Sequence, residues 1–268
     1  MRALVLFGSA SDEPVVSPLM ASLEKAGLSP RLEYVSAHRN PQKLDEILKT
    51  VPHDVIVAGA GLAAHLPGVV ASKVSAPVIG VPVDVVFMGL DALMSIVQMP
   101  PGIPVLTAPM PNPKTSAKIW TELMRRFLSV RHESPKVILV GDKKIAMGEL
   151  TKKARAILDR AGVQWSLEKQ PLKGAVNIVL CPEARMPRGF KAPNDALLIC
   201  VPTYNVTKLK QAGTAVAMSK NIEKAKPRGL WVGANNFVNA VCGSLQMFNS
   251  DGKHTALLSQ VKKGEFRG

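Results

Sequence analysis

Apolar and polar positions fall into runs of two alternating kinds along the first 110 residues. Residues 3–7 are continuously apolar, as in a buried strand, and they end at Gly8-Ser9-Ala10-Ser11-Asp12. Pro14 then opens a stretch with Val15, Val16, Leu19, Met20 and Leu23 spaced by three and four, the one-faced pattern of a helix that Ser11 or Asp12 is placed to cap. Residues 32–35 alternate like a strand and give way at Ser36-Ala37-His38-Arg39 to a helix that Pro41 starts and Leu48 ends. A third strand at 54–58 runs into a stretch dominated by Gly and Ala up to Gly68, where the lack of side chains lets backbone approach a ligand closely. A fourth strand at 77–81 stops at Pro82. The segment 89–100 leads to a fifth strand at 104–107, and a helix covers 116–130. Strict alternation of strand and helix predicts a parallel sheet with helices on both faces, a three-layer α/β/α fold.

After a linker at 131–135 the pattern recurs in weaker form. Val137-Ile138-Leu139-Val140-Gly141 echoes Leu4-Val5-Leu6-Phe7-Gly8, and the helical stretch 150–162 ends Ala161-Gly162 as the first helix ends Ala26-Gly27. Residues 176–181 match the third strand, Leu198-Ile199-Cys200-Val201-Pro202 matches Val78-Ile79-Gly80-Val81-Pro82, and Gly229-Leu230-Trp231-Val232 parallels Gly102-Ile103-Pro104-Val105. The chain therefore reads as a tandem repeat of two α/β domains, 1–130 and 136–268. The second copy lacks the polar loops of the first: Gly141-Asp142-Lys143-Lys144 replaces the Ser and Asp loop, and Cys181-Pro182-Glu183-Ala184 replaces the Gly and Ala stretch. It reads as a non-catalytic packing module, a pseudo-subunit expected to complete the walls of the first-half site.

Charge separates the halves further. Up to Met110 there are 7 Lys and Arg against 9 Asp and Glu, and beyond it 27 against 11, within a net charge of +14. Such a surplus suits an anionic partner, but aromatic residues do not interleave it as single-strand nucleic-acid binding would need, so a nucleic-acid partner is not expected. The three cysteines, Cys181, Cys200 and Cys242, are odd in number and widely spaced, which fits buried thiols in a reducing cytoplasm and neither a disulfide framework nor a metal site. No apolar run is long enough to span a membrane, and residues 1–8 lack the pattern of a signal peptide.

Candidate chemistry gathers where strands give way to helices, the place at which open α/β sheets bind ligands. His38 can exchange a proton near neutrality, and the neighbouring Arg39 offers a fork of donors suited to phosphate. The loops taken in order, Gly8-Ser9-Ala10-Ser11-Asp12, Ser36-Ala37-His38-Arg39, Ala58-Gly59-Ala60-Gly61 with Ala64-His65-Leu66-Pro67-Gly68, and Ser95-Ile96-Val97-Gln98-Met99-Pro100, closely resemble the phosphoribosylaminoimidazole carboxylase family. The Ala-His-Leu-Pro-Gly element resembles the bacterial mutase branch, which acts on N5-carboxyaminoimidazole ribonucleotide. The likeness covers about the first 110 residues. It departs from the family at Leu62, where another glycine is usual, and at the segment 111–116, where a Gly and Ala rich helix start is usual.

This resemblance implies a flavodoxin-like fold and a shift of a carboxyl group from an exocyclic nitrogen to a ring carbon, in purine biosynthesis, without metal, ATP or organic cofactor. It implies His38 as the acid/base, and Ser9, Ser11 and Arg39 at the phosphate with Ser36 and Ala37 beside them. Asp12 would take the ribose hydroxyls, Ala60 and Gly61 would form the floor, and His65 with Leu66 would close the carboxylate end. His65 has a second reading, in which it only caps its own helix. The implied protein is a cytoplasmic homo-oligomer, linked in function to the ATP-dependent carboxyaminoimidazole ribonucleotide synthetase. Two alternatives stand beside it: a related carboxylase that takes carbon dioxide onto aminoimidazole ribonucleotide or nicotinic acid adenine dinucleotide, and a non-catalytic nucleotide-binding scaffold.

Overall fold

The computed structural model describes residues 1–62, 64–108, 113–130, 135–226 and 229–267. Expectations placed on Ala63, Pro111, Asn112 and the linker 131–134 lie outside them. In the first half, β1 (Arg2–Phe7) lies between β2 (Ser29–Tyr34) and β3 (Val55–Ala60), followed by β4 (Val78–Pro82) and β5 (Leu106–Thr107), all parallel. The helices between them are α1 (Glu13–Lys25), α2 (Pro41–Thr50), α3 (Leu66–Lys73) and α4 (Leu90–Val97), with α5 (Pro113–Ser129) after β5. Helices α1 and α5 pack together on one face; α2, α3 and α4 bury a second cluster, including Leu44, Val70 and Ile96, on the other. That is the three-layer arrangement the pattern predicted.

The second half repeats the strand order. There β6 (Lys136–Val140) lies between β7 (Gln164–Glu168) and β8 (Val176–Pro182), followed by β9 (Leu197–Thr203) and β10 (Leu230–Trp231). Its helices are α6 (Lys143–Ala146), α7 (Glu149–Ala161), α8 (Val206–Leu209), α9 (Ala212–Lys224), α10 (Phe237–Met247) and α11 (Thr255–Lys262). All the described strands join in one ten-stranded sheet of order β2-β1-β3-β4-β5-β10-β9-β8-β6-β7.

The expectation of a wholly parallel sheet fails at its centre, where Thr107 of β5 and Trp231 of β10 pair antiparallel. The physical reason is symmetry: joining like edges of two similar sheets is a two-fold arrangement, and it reverses strand direction at the joint. The carboxyl ends of the first-half strands therefore lie on the opposite rim of the sheet from those of the second half. A single apolar cluster runs through both halves, from Val5 and Phe127 to Ile157 and Val241.

Smaller departures have local causes. Strand β2 starts at Ser29, three residues before the alternation begins, because main-chain pairing with β1 holds at Ser29, Pro30 and Arg31 whatever their side chains. Strand β4 takes in Pro82 opposite Ala60, as a terminal strand residue without an N–H can.

Candidate active site

The candidate residues lie at the carboxyl ends of β1, β2 and β3 and on the segments that follow them, as far as His65 and Leu66 at the start of α3. Beyond Phe7 the chain turns so that Ser9 Oγ accepts the Ser11 N–H at 3.2 Å and the Ser11 hydroxyl at 3.0 Å. These bonds close a 3-10 turn, Ala10–Asp12, and Ser9 is its cap. Asp12 occupies the N-cap position of α1 without making a side-chain capping bond, contrary to the sequence expectation. Its carboxyl is left for other use. At 9% exposure it is buried, and burial pushes its pKa above the ordinary carboxylate value, opposed by a backbone hydrogen bond from Ser9.

The second loop is tied to the first. Val35 N–H donates to Phe7 O at 2.9 Å, Arg39 N–H to Ser36 Oγ at 3.3 Å, and Asn40 N–H to Ser36 O at 2.9 Å, giving a compact turn that carries His38. The Tyr34 hydroxyl donates to the Glu13 carboxylate, which also accepts from Ser17, so the end of β2 is fastened to the first turn of α1. The Glu13 bond holds the Tyr34 pKa up at about 12, while the hydrogen bond from Ser17, and after it the one from Tyr34, keep the Glu13 carboxyl below its usual range.

The third loop brings backbone close. A Cβ on Gly61 would lie 2.3 Å from Val85 Cγ2, so any other residue there would have to push the Val85 side chain aside. Leu62 follows with φ of 55°, the left-handed region that costs a side-chain-bearing residue about 1–2 kcal/mol. A glycine would adopt this backbone without that cost. His65 then takes the N-cap position of α3 without a side-chain capping bond, so the capping reading of this residue fails. Instead its ring meets that of His38, edge to face, with centroids 4.9 Å apart and planes at 63°.

The three loops enclose an open cleft of about 250 Å³. Ser9, Ser11, Asp12, Ser36, Ala37, His38, Ala60, Gly61, His65 and Leu66 all line it, joined by Gly8, Leu62 and Val85. Arg39 is exposed and lies outside the lining. Sequence reasoning missed Val85, an apolar residue beside Asp84 with no reactive group of its own; the pairing of Ala60 with Pro82 and the bond from Val83 N–H to Ala60 O at 3.1 Å carry its segment to the third loop. The second half, expected to complete the walls, contributes none of the described lining residues. Its corresponding strand ends are spent on internal bonds: Asp142 Oδ1 caps α6 by accepting the Ile145 N–H at 3.1 Å, and Glu183 pairs with Lys208. Among the described residues no group of three His, Cys, Asp or Glu could hold a metal ion.

A parallel first-half sheet whose loops bring hydroxyls, a buried carboxyl and two imidazoles to one cleft at its strand ends has the arrangement of an open-sheet α/β protein with a small-molecule site. The family model for AIR carboxylase matches residues 2–130. N5-carboxyaminoimidazole ribonucleotide mutase from Methanocaldococcus jannaschii is 40% identical over 149 residues, which cover 53% of this chain and 95% of that protein. The enzyme of the same name from Thermotoga maritima is 47% identical over 127 residues, covering 46% of this chain and 74% of its own length. That from Synechocystis is 35% identical over 170 residues, covering 62% and 94%. The chain belongs to the AIR carboxylase family.

Proposed function

We propose that the chain is an N5-carboxyaminoimidazole ribonucleotide mutase of purine biosynthesis, with its chemistry in the first half. The observation that carries this reading is the meeting of His38 and His65 beside the Ser9 to Asp12 turn, in a chain that aligns with 95% of an archaeal mutase. The reaction breaks an exocyclic N–C bond, frees carbon dioxide within the cleft, forms a C–C bond at the ring carbon and removes the proton from that carbon. One group has to give a proton to the nitrogen and take one from the carbon. His38 fits both steps, because an imidazole exchanges protons near neutral pH, and such transfer contributes about 10²- to 10⁴-fold.

Around it the other residues bind and orient. The hydroxyls of Ser9, Ser11 and Ser36 and the backbone N–H groups of the first loop suit the phosphate, with Arg39 as a contact from outside the lining. Asp12 suits the ribose hydroxyls as an acceptor. The small Ala37, Ala60 and Gly61 leave room for the imidazole ring, while His65 and Leu66 close the carboxylate end. Holding carbon dioxide against its acceptor adds a proximity term. No cofactor is needed for these steps.

The common strand order of the halves supports reading 136–268 as a degenerate second copy of 1–130. On this reading the protein works in the cytoplasm as a homo-oligomer and receives its carbamate from the ATP-dependent synthetase. The test is the ultraviolet absorbance of carboxyaminoimidazole ribonucleotide when purified protein is added. Wild type should drive the spectral change of interconversion, and His38→Asn should abolish it while binding nucleotide within a few fold, since asparagine fills the space without moving a proton. No spectral change with wild type at any protein concentration sinks the assignment.

A further inference from the structure

The cleft owes its lining to the first half, yet the element that carries His65 is held from behind by the second. Helix α3 is only eight residues long and begins at the His65 N-cap. The carbonyls of its last turn lack intrahelical partners, as at any helix end. Lys262, the last residue of α11, meets them: its Nζ donates to Ala71 O at 3.0 Å, Ser72 O at 3.1 Å and Val74 O at 2.9 Å. An ammonium has three N–H donors, and here all three are used. The cation also stands at the negative end of the α3 dipole.

A second grip lies alongside. Asn239 of α10 accepts the Gly102 N–H at 2.7 Å and donates to Pro100 O at 3.0 Å, while Asn236 donates to Met99 O at 2.8 Å. Met99 in turn packs against α3, since a Cβ on Gly68 would lie 3.0 Å from its sulfur. A short helix fixed at its last turn and pressed along its side has little freedom left at its first.

We propose that Lys262 is a positioning residue for the first-half cleft: it anchors the end of α3 so that His65, at the helix start, keeps its place against His38. The catalytic part of this proposal rests on the mutase reading, and the structural part does not. The deciding experiment compares full-length wild type, Lys262→Met and Lys262→Arg, labelled with ¹⁵N in histidine, by the ring signals of their imidazoles. In Lys262→Met the His65 and His38 signals should shift while the His53 signal stays, and Lys262→Arg, which again offers donors to the carbonyls, should restore them. Unmoved His65 and His38 signals in the folded Met variant overturn the proposal. Should that variant not fold, Lys262→Gln, which keeps part of the stem and two N–H donors, carries the same comparison.

Turnover gives a second arm. Lys262→Met should lower kcat/KM by about tenfold in the wild-type background, as small misplacements near the reacting atoms do. In a His65→Ala background the same change should cost under about twofold, because residues that act through one another are not additive. Equal losses in both backgrounds contradict a route through His65. A wild-type protein without turnover fails the mutase reading alone and leaves the histidine signals to decide this one.

Discussion

Asp12 and Asp142 stand after the first strand of their halves and are used in opposite ways. Asp142 spends its carboxylate on the Ile145 N–H, whereas Asp12 caps nothing and is buried in the cleft wall. A buried carboxylate with a raised pKa weakens the free fold at neutral pH, and ligand binding is the compensating gain. The sign follows from linkage: a folded-state pKa above the unfolded value favours the protonated fold, so that contribution is present at low pH and is lost as pH rises through the folded pKa. Asp12→Asn should therefore raise Tm at pH 7 and weaken nucleotide binding, with the Tm advantage shrinking as pH falls toward about 4. Thermal melts at the two pH values check it; a lower Tm at pH 7 would make Asp12 a structural group. At this scale most residues lining the candidate cleft were legible through the order of loops that resembles a known family, since hydroxyls, a carboxylate and an imidazole at strand ends are by type ordinary loop residues. Arg39 and Val85 were not: one is a charge beside the loop that faces solvent, the other an apolar residue that the chain beyond β4 brings against Gly61.

Continuous apolar runs located β1, β3 and β4, which are buried on both faces, and helical spacing located the helices, whose burial is one-sided. Ends were harder to read, since main-chain pairing continues past the apolar pattern at Ser29 and Pro82. Strand β5 shrinks to Leu106–Thr107, and it is this short strand that meets β10. The Gly102 turn before it shows what a sequence hides. Its φ is +92°, and a Cβ there would lie 2.7 Å from Val261 O of α11, so its glycine serves a contact with a helix about 160 residues away. Gly102→Ala should destabilise the protein by about 2 kcal/mol or more, combining left-handed strain with a clash against backbone. Urea unfolding measures it, and a loss below about 0.5 kcal/mol would mean that the turn and α11 separate easily.

Across the whole molecule, the echo of the first half in the sequence located strands of the second half but not how the halves would join. Nothing in a pattern of apolar positions says that β5 and β10 will pair edge to edge, or that the second half will support the cleft without lining it. The joint makes the halves interdependent: a fragment ending at Val130 loses the partner of β5, divides the apolar cluster the halves share and uncovers Leu106 where α10 packs on it at Gly243. Such a fragment should be poorly soluble or lack turnover, as an exposed edge and apolar patch imply. A soluble, fully active fragment would make the second half an appendage. The central claim, that a carboxyl group migrates within the cleft under the control of His38, is tested most directly by isotope. Protein is given N5-carboxyaminoimidazole ribonucleotide carrying ¹³C in its carbamate, in unlabelled bicarbonate buffer, and the carboxylate carbon of the product is read by NMR. The account predicts product that keeps the ¹³C, and none from His38→Asn; product carrying unlabelled carbon from the buffer, or labelled product formed equally well by His38→Asn, would contradict it.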